Sequence, residues 1–323
     1  MHVSLVATVL DEEAGIDAWL GSVLGQTRPP DEIVLVDGGS RDGTVAAIER
    51  VAAADARVKV HRAPGTTIAE GRNIAIDLAE GPVIAVTDAG TVLEGEWLER
   101  LVAPLTGGRA AGVASGFFLP AGDAFLERCI ATTVTPQLEE IDPATFLPSS
   151  RSVAFRKDWW ERAGGYPEWL EHCEDLVFDL AMRAAGAQFE FVPDARVTWR
   201  ARPSLRKFFR QYFLYARGDG HALLWGRRHA IRYGSYAMGV ALLAAGRESR
   251  AARVALLGGF VAYMQKFWRR LLRLPPADGV ALAGALALVP VIVVTGDVAK
   301  MAGYPVGRWQ RATQRGRLSR KSR

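Results

Sequence analysis

The sequence predicts an α/β fold on a mostly parallel sheet, and three observations carry the prediction. Short apolar runs alternate with helix-patterned stretches over the first 100 residues. Acidic residues recur where those runs end. After residue 230 the composition changes to apolar segments separated by arginines, which marks a second region.

Residues 3–9 form a nearly continuous apolar run, as a strand buried on both faces requires. Ile16, Leu20, Val23 and Leu24 follow at helical spacing. Residues 32–36 read as a second buried strand. Asp42-Gly43-Thr44 opens a helix to about residue 54, with Asp or Thr to cap it. Residues 58–61 predict a third strand, 68–79 a helix, and 82–87 a fourth strand ending at Asp88. Strands alternating with helices in this way build βαβ units. Ligands of such sheets bind beyond the carboxyl ends of the strands, where Asp11, Asp37 and Asp88 fall.

From about 110 to 199 the pattern is less regular. Residues 173–185 predict a helix opening on Glu174-Asp175, and 187–199 two short strands around Pro193-Asp194. Residues 203–216 predict a basic, aromatic helix carrying Phe208, Phe209, Tyr212 and Phe213 among Arg206, Lys207 and Arg210. Three apolar segments follow at about 233–245, 254–265 and 279–296. Only the third, uncharged over its length, approaches the roughly 20 residues that cross a bilayer.

Charge divides the chain the same way. Residues 1–199 hold 16 basic against 31 acidic residues, a net −15; residues 200–323 hold 24 against 4, a net +20. The second part therefore calls for an anionic partner. Long apolar runs among its arginines favour an anionic membrane over nucleic acid. The acidic Asp11-Glu12-Glu13 after the first strand is wrong for a signal peptide, so the N-terminal part is expected in the cytoplasm. A basic tail beyond residue 300 is expected on the same side. Peripheral attachment or an even number of crossings satisfies both. Cys129 and Cys173 stand far apart and make neither a disulfide framework nor a spaced metal site.

Four acidic constellations remain: Asp11-Glu12-Glu13, Asp37-Gly-Gly-Ser-Arg-Asp42-Gly-Thr44, Asp88-Ala-Gly90 and Glu174-Asp175. Singly, each reads as a turn, a helix cap or a dipole partner. In this order and spacing they resemble family 2 glycosyltransferases of the GT-A fold, over about residues 3–218. Gly71-Arg72-Asn73 and Gly164-Gly165-Tyr166 extend the resemblance, as does Arg183 after the Glu-Asp pair. The resemblance implies a catalytic domain over 1–218 and a membrane-associating helical region over 219–323. It implies inverting transfer from a nucleotide-diphosphate sugar to a lipid-linked or polysaccharide hydroxyl, in cell-envelope synthesis. It places the nucleoside at Asp11, Glu12, Asp37, Arg72 and Asp88. Asp175 becomes the general base, with Glu174 its neighbour or substitute, because an attacking hydroxyl must lose its proton.

The sequence departs from the family at the diphosphate. Asp88 fills the first position of the Asp-x-Asp metal motif, but Gly90 replaces the second carboxylate. Trp199 stands where many members carry a histidine. A Mg²⁺ or Mn²⁺ ion held by Asp88 and diphosphate oxygens is one reading. Arginines replacing the ion are the other, with Arg200 and Arg202 beside Trp199 and Arg151 in the stretch lining the acceptor side. A dinucleotide-dependent dehydrogenase is disfavoured because no G-x-G-x-x-G follows the first strand. Nucleotidyl transfer is disfavoured by the missing Gly-rich loop near the N-terminus. A membrane-bound adaptor or nucleic-acid binder with a degenerate site is the non-enzymatic alternative.

Overall fold

The computed structural model describes residues 1–106, 111–273 and 279–321; residues 274–278 and 322–323 of the expected C-terminal region lie outside the described residues. In chain order the elements are β1 (Val3–Val9), α1 (Glu13–Leu24), β2 (Glu32–Asp37), α2 (Thr44–Ala54), β3 (Val58–Arg62), α3 (Ile68–Leu78), β4 (Val83–Val86), β5 (Thr91–Leu93) and α4 (Trp97–Thr106). There follow β6 (Val113–Ala121), α5 (Phe125–Val134), β7 (Val153–Arg156), α6 (Lys157–Ala163), α7 (Glu174–Ala184) and β8 (Phe189–Arg200). Four helices close the chain: α8 (Leu205–Ala222), α9 (Gly226–Ala245), α10 (Arg250–Arg273) and α11 (Gly279–Lys321).

These elements form two compact units. The first comprises Met1–Leu119 and Pro136–Arg200; the second comprises Pro120–Thr135 and Ala201–Arg323. The first unit is built on one sheet of order β3-β2-β1-β4-β7-β6-β8-β5. β3, β2, β1 and β4 run parallel, with β1 pairing β2 on one side and β4 on the other. β7 joins β4 antiparallel, and β5 joins β8 antiparallel. The parallel half is what the sequence predicts, and the antiparallel half is where the sequence pattern loses its regularity.

Strand alternation sorts the core into two layers. Val3, Leu5 and Ala7 of β1 pack with Trp19, Ile48 and Leu98 from α1, α2 and α4 on one face. Val6, Val34 and Val36 pack with Ile76, Phe178 and Met182 from α3 and α7 on the other. Both faces of β1 and β2 are covered, which is why those strands read as unbroken apolar runs.

One expectation is corrected. Residues 189–200 form a single twelve-residue strand, not two strands around Pro193. β5 pairs with β8 only over Val197–Trp199, so the N–H that Pro193 lacks is not needed by that neighbour. Arg196 steadies the stretch by donating to the Pro193 carbonyl at 3.1 Å.

In the second unit α8 and α11 pack backbone against backbone. A Cβ on Gly303 would fall 2.2 Å from the Phe213 carbonyl oxygen, and one on Gly307 1.9 Å from that of Arg217. This contact explains why residues 205–218, expected in the catalytic domain, fold with the C-terminal helices. The segment Ala281–Thr313 of α11 is long and apolar enough to cross a membrane. It nonetheless buries Asp297, which accepts hydrogen bonds from Arg232 Nε (2.9 Å), Tyr236 Oη (3.1 Å) and Tyr263 Oη. A carboxylate on an apolar helix is tolerable because these partners satisfy it. The three apolar segments of the sequence lie within α9, α10 and α11, each longer than its apolar stretch because the arginine-bearing flanks are helical too.

Candidate active site

The parallel strands β1, β2 and β4 end at one edge of the sheet, and the predicted carboxylates gather along it. Asp37 is the last residue of β2, buried, and accepts from the Gly39 and Ser40 amides at 3.1 and 3.0 Å. Asp11 follows β1 in a left-handed conformation, φ +53°. Its carboxylate accepts from the Arg41 amide (2.8 Å) and its own amide donates to Ser40 Oγ (2.9 Å). The Glu12 amide donates to Thr44 Oγ1 at 2.8 Å. The two strand-end loops are thereby stitched together, and much of the Asp37–Thr44 signature serves that stitching.

Asp88 lies two residues beyond β4, its side chain partly exposed. Arg72, from α3, donates to Asp88 Oδ1 at 2.8 Å and to Glu174 Oε1 at 2.7 Å. Its guanidinium is buried and lies 5.3 Å from the Tyr166 ring centre. Burial disfavours its charge, yet Asp88 and Glu174 outweigh that and raise its pKa. The resemblance put Arg72 beside the nucleoside; the structure shows it tying Asp88 to Glu174.

Arg151 comes to Asp88 from the other side, with Nε 3.8 Å from Oδ2. Its guanidinium lies over the Trp199 ring at 5.2 Å and the Phe118 ring at 5.7 Å. Trp199 reaches this place because it pairs with Thr91 in the β5–β8 ladder, and Thr91 donates to the Asp88 carbonyl at 2.7 Å. Thus the guanidiniums placed on Asp88 are those of Arg72 and Arg151. Arg200 is exposed at the end of β8, and Arg202 is exposed in the second unit.

Glu174 and Asp175 open α7 after Cys173, itself left-handed at φ +64°. Glu174 is buried against Arg72, whereas Asp175 stays half-buried. Burial, then the charge of Asp175, push the Glu174 carboxyl up to about 7 despite Arg72. Asp179, one turn on, went unnoticed in the sequence. It is buried, its Oδ2 has no hydrogen-bond partner, and burial followed by Asp175 drives its pKa well above the usual range. Its i, i+4 spacing from Asp175 was the available signal.

Asn73 fixes the Gly164-Gly165-Tyr166 loop. Its Oδ1 accepts from the Tyr166 amide (2.8 Å) and from Trp160 Nε1 (3.0 Å), and its Nδ2 donates to the Tyr166 carbonyl (2.9 Å). Gly165 there has φ +76°, which favours glycine. Of the tryptophans near this loop, Trp169 is exposed and lines a cavity of about 500 Å³ with Asn73, Tyr166 and Val177. Trp160 is held by Asn73, and Trp159 stacks on Arg162.

The residues at Asp88 are a poor fit to a metal centre. Gly90 brings no carboxylate, and Asp88 already faces two guanidiniums. Among the described residues no group of three or more His, Cys, Asp or Glu could hold an ion. A Mg²⁺ or Mn²⁺ ion would have Asp88 as its protein ligand.

Comparison with known proteins matches this arrangement. Residues 4–129, which carry β1 to β4 and the Asp37 and Asp88 signatures, match the family described as Glycosyl transferase family 2. The chain is a glycosyltransferase, and these residues carry its likeness to family 2. It is 28% identical over 233 residues to glycosyltransferase AglE of Haloferax volcanii, spanning 69% of this chain and 74% of AglE. It is 26% identical over 223 residues to the succinoglycan biosynthesis protein ExoA of Rhizobium meliloti, spanning 66% of this chain and 68% of ExoA. Its fold is similar to that of mannosyltransferase PcManGT from Pyrobaculum calidifontis, solved with GDP-Man and Mn²⁺. There the TM-score is 0.54 at 17% identity, covering 96% of this chain and 86% of PcManGT. S. aureus TarS 1–349, solved with UDP-GlcNAc, gives a TM-score of 0.54 at 16% identity, covering 97% and 92%. This glycosyltransferase therefore has the GT-A fold expected from its motifs.

Proposed function

We propose that this glycosyltransferase moves a sugar from a nucleotide-diphosphate donor to a hydroxyl of a lipid-linked or polysaccharide acceptor, with inversion, at the cytoplasmic face of an anionic membrane. The observation that carries the reading is the Asp88–Arg72–Glu174 bridge, which ties the donor-side carboxylate to the start of α7 and leaves Asp175 accessible beside it. Similar proteins support a nucleotide-sugar donor and a glycan product: PcManGT was solved with GDP-Man, TarS with UDP-GlcNAc, and RfbN of Salmonella typhimurium, 24% identical over 210 residues, is an O-antigen chain rhamnosyltransferase.

In this mechanism the donor nucleoside rests on the strand-end loops of Asp11, Glu12 and Asp37, with its diphosphate toward Asp88. The acceptor oxygen attacks the anomeric carbon as its proton passes to the Asp175 carboxylate. The bond from that carbon to the diphosphate oxygen breaks, and the electron pair leaves with the nucleoside diphosphate. Arg151 meets the growing negative charge, a planar fork being suited to phosphate oxygens. Glu174, bound to Arg72, positions the base. We assign transfer to the sheet-bearing unit, and membrane association to the helices after residue 218.

The test is turnover of a panel of UDP-, GDP- and dTDP-sugars by the purified enzyme with lipid-phosphate-linked and glycan acceptors. Asp175→Asn should lower kcat by about 10²–10⁴-fold while donor binding persists. An Asp175→Asn enzyme with unchanged kcat would remove Asp175 as the base.

A further inference from the structure

The apolar segments of α9 and α10 are exposed where a soluble protein would cover them. Met238, Val240 and Leu243 on α9, and Val254 and Leu257 on α10, are each at least 60% exposed, and Ile231, Phe260 and Val261 add to them. Scattered single apolar residues are ordinary on a surface, but a contiguous set of this size marks an interaction face. Helix α11 is different. Although long and apolar enough to cross a membrane, it buries Ala285, Val289, Ile292, Val293 and Ala299, its Gly303 and Gly307 abut α8, and Val291, Val294 and Val298 are only 40–48% exposed.

Arginines bracket the exposed face. Arg227 and Arg228 begin α9; Arg247, Arg250 and Arg253 surround the turn into α10; Arg269 and Arg273 end α10. Residues 226–273 contain ten basic residues and one acidic residue, Glu248. Between the helices, next to the turn, a cavity of about 590 Å³ is lined by Val240, Leu243, Ala244 and Leu256 with Arg247 and Arg253.

We propose that the α9–α10 hairpin is the surface by which this protein docks on a bilayer containing anionic phospholipid, lying in the headgroup–acyl boundary. This rests on the membrane association proposed above and locates it. The orientation follows from length. The apolar stretch of each arm, about 12 residues, measures about 18 Å at 1.5 Å per residue, against a hydrocarbon core of about 30 Å. The arginines at its two ends cannot reach opposite headgroup layers, so both rows sit in one layer and the hairpin lies flat. A second copy of the chain is a poorer occupant, because its own arginines at the ends of these helices would come up against these. Nucleic acid would leave the apolar face in water. The cavity between the arms suits an acyl chain whose phosphate meets Arg247 and Arg253.

The test is flotation of the full-length protein with phosphatidylcholine vesicles, with and without phosphatidylglycerol. The wild type is expected to float with the anionic vesicles, and salt should weaken it. Arg247→Gln/Arg250→Gln/Arg253→Gln should cut partitioning roughly a hundredfold and flatten the salt dependence. Met238→Glu/Leu243→Glu/Leu257→Glu should abolish it, with far-UV circular dichroism and nucleotide binding unchanged. Flotation of both triple variants like wild type would overturn the proposal while leaving membrane association intact elsewhere. Failure of the wild type to float would remove the membrane reading as well. Self-association that only the apolar variant abolishes would assign the face to a second copy and contradict the proposal.

Discussion

Arg72 reaches Glu174 across 102 residues of sequence, its Nη1 2.7 Å from Oε1, and the same guanidinium donates to Asp88. One buried cation thus ties the loop after β4 to the start of α7.

Removing that cation should be costly. Arg72→Met leaves Glu174 buried without its partner, and loss of one member of a buried ion pair costs about 3–5 kcal/mol. Urea denaturation should show the loss, and pairing Arg72→Met with Glu174→Gln should recover part of it. Single and double variants that unfold at the same urea concentration would contradict the coupling.

The pH dependence of stability has a definite sign. The Glu174 carboxyl is raised in the folded protein from an ordinary 4.5 to about 7, so the folded state holds this proton more tightly than the unfolded chain does. Its contribution is fully present below about 4.5 and is lost as pH rises toward 7. Relative to Glu174→Gln, the wild type should lose roughly 2–3 kcal/mol across that window. Thermal midpoints of the two proteins measured at both ends of the window check this; a constant difference between them would refute it.

Gly90 offers a direct probe of the variant metal motif. A Cβ placed there meets nothing within 4 Å, so Gly90→Asp should fold normally. The restored Asp-x-Asp pair should strengthen Mn²⁺-dependent nucleotide binding by about tenfold or more over wild type. Equal metal response in the two proteins would show that the second carboxylate is not what limits ion binding.

Much of this was legible in the sequence, for identifiable reasons. Strands β1, β2 and β4 announced themselves because both faces are covered, which leaves no polar alternation to obscure them. Glu174-Asp175 was legible because a charged pair at a helix start is a local feature. The partners of Asp88 were not, since Arg72 and Arg151 arrive from 16 residues before it and 63 after it. Arg200 and Arg202 drew notice by adjacency to Trp199, yet the ring of Trp199 carries Arg151. The single β8 strand was hidden by Pro193, whose effect depends on which neighbour pairs with it. The division of the chain near residue 200 was hidden because α8 owes its place to glycines on α11, about 90 residues further along the chain.

Calorimetric titration of UDP, GDP and dTDP into the wild type and Arg151→Ala, in excess EDTA and in Mn²⁺, tests the central claim most directly. The account predicts that one of these nucleotides binds the wild type in EDTA, and that Arg151→Ala weakens it by about 1.5–3 kcal/mol, roughly 10- to 150-fold. Binding that requires Mn²⁺ and ignores Arg151, or no binding of any of the three under either condition, would contradict it.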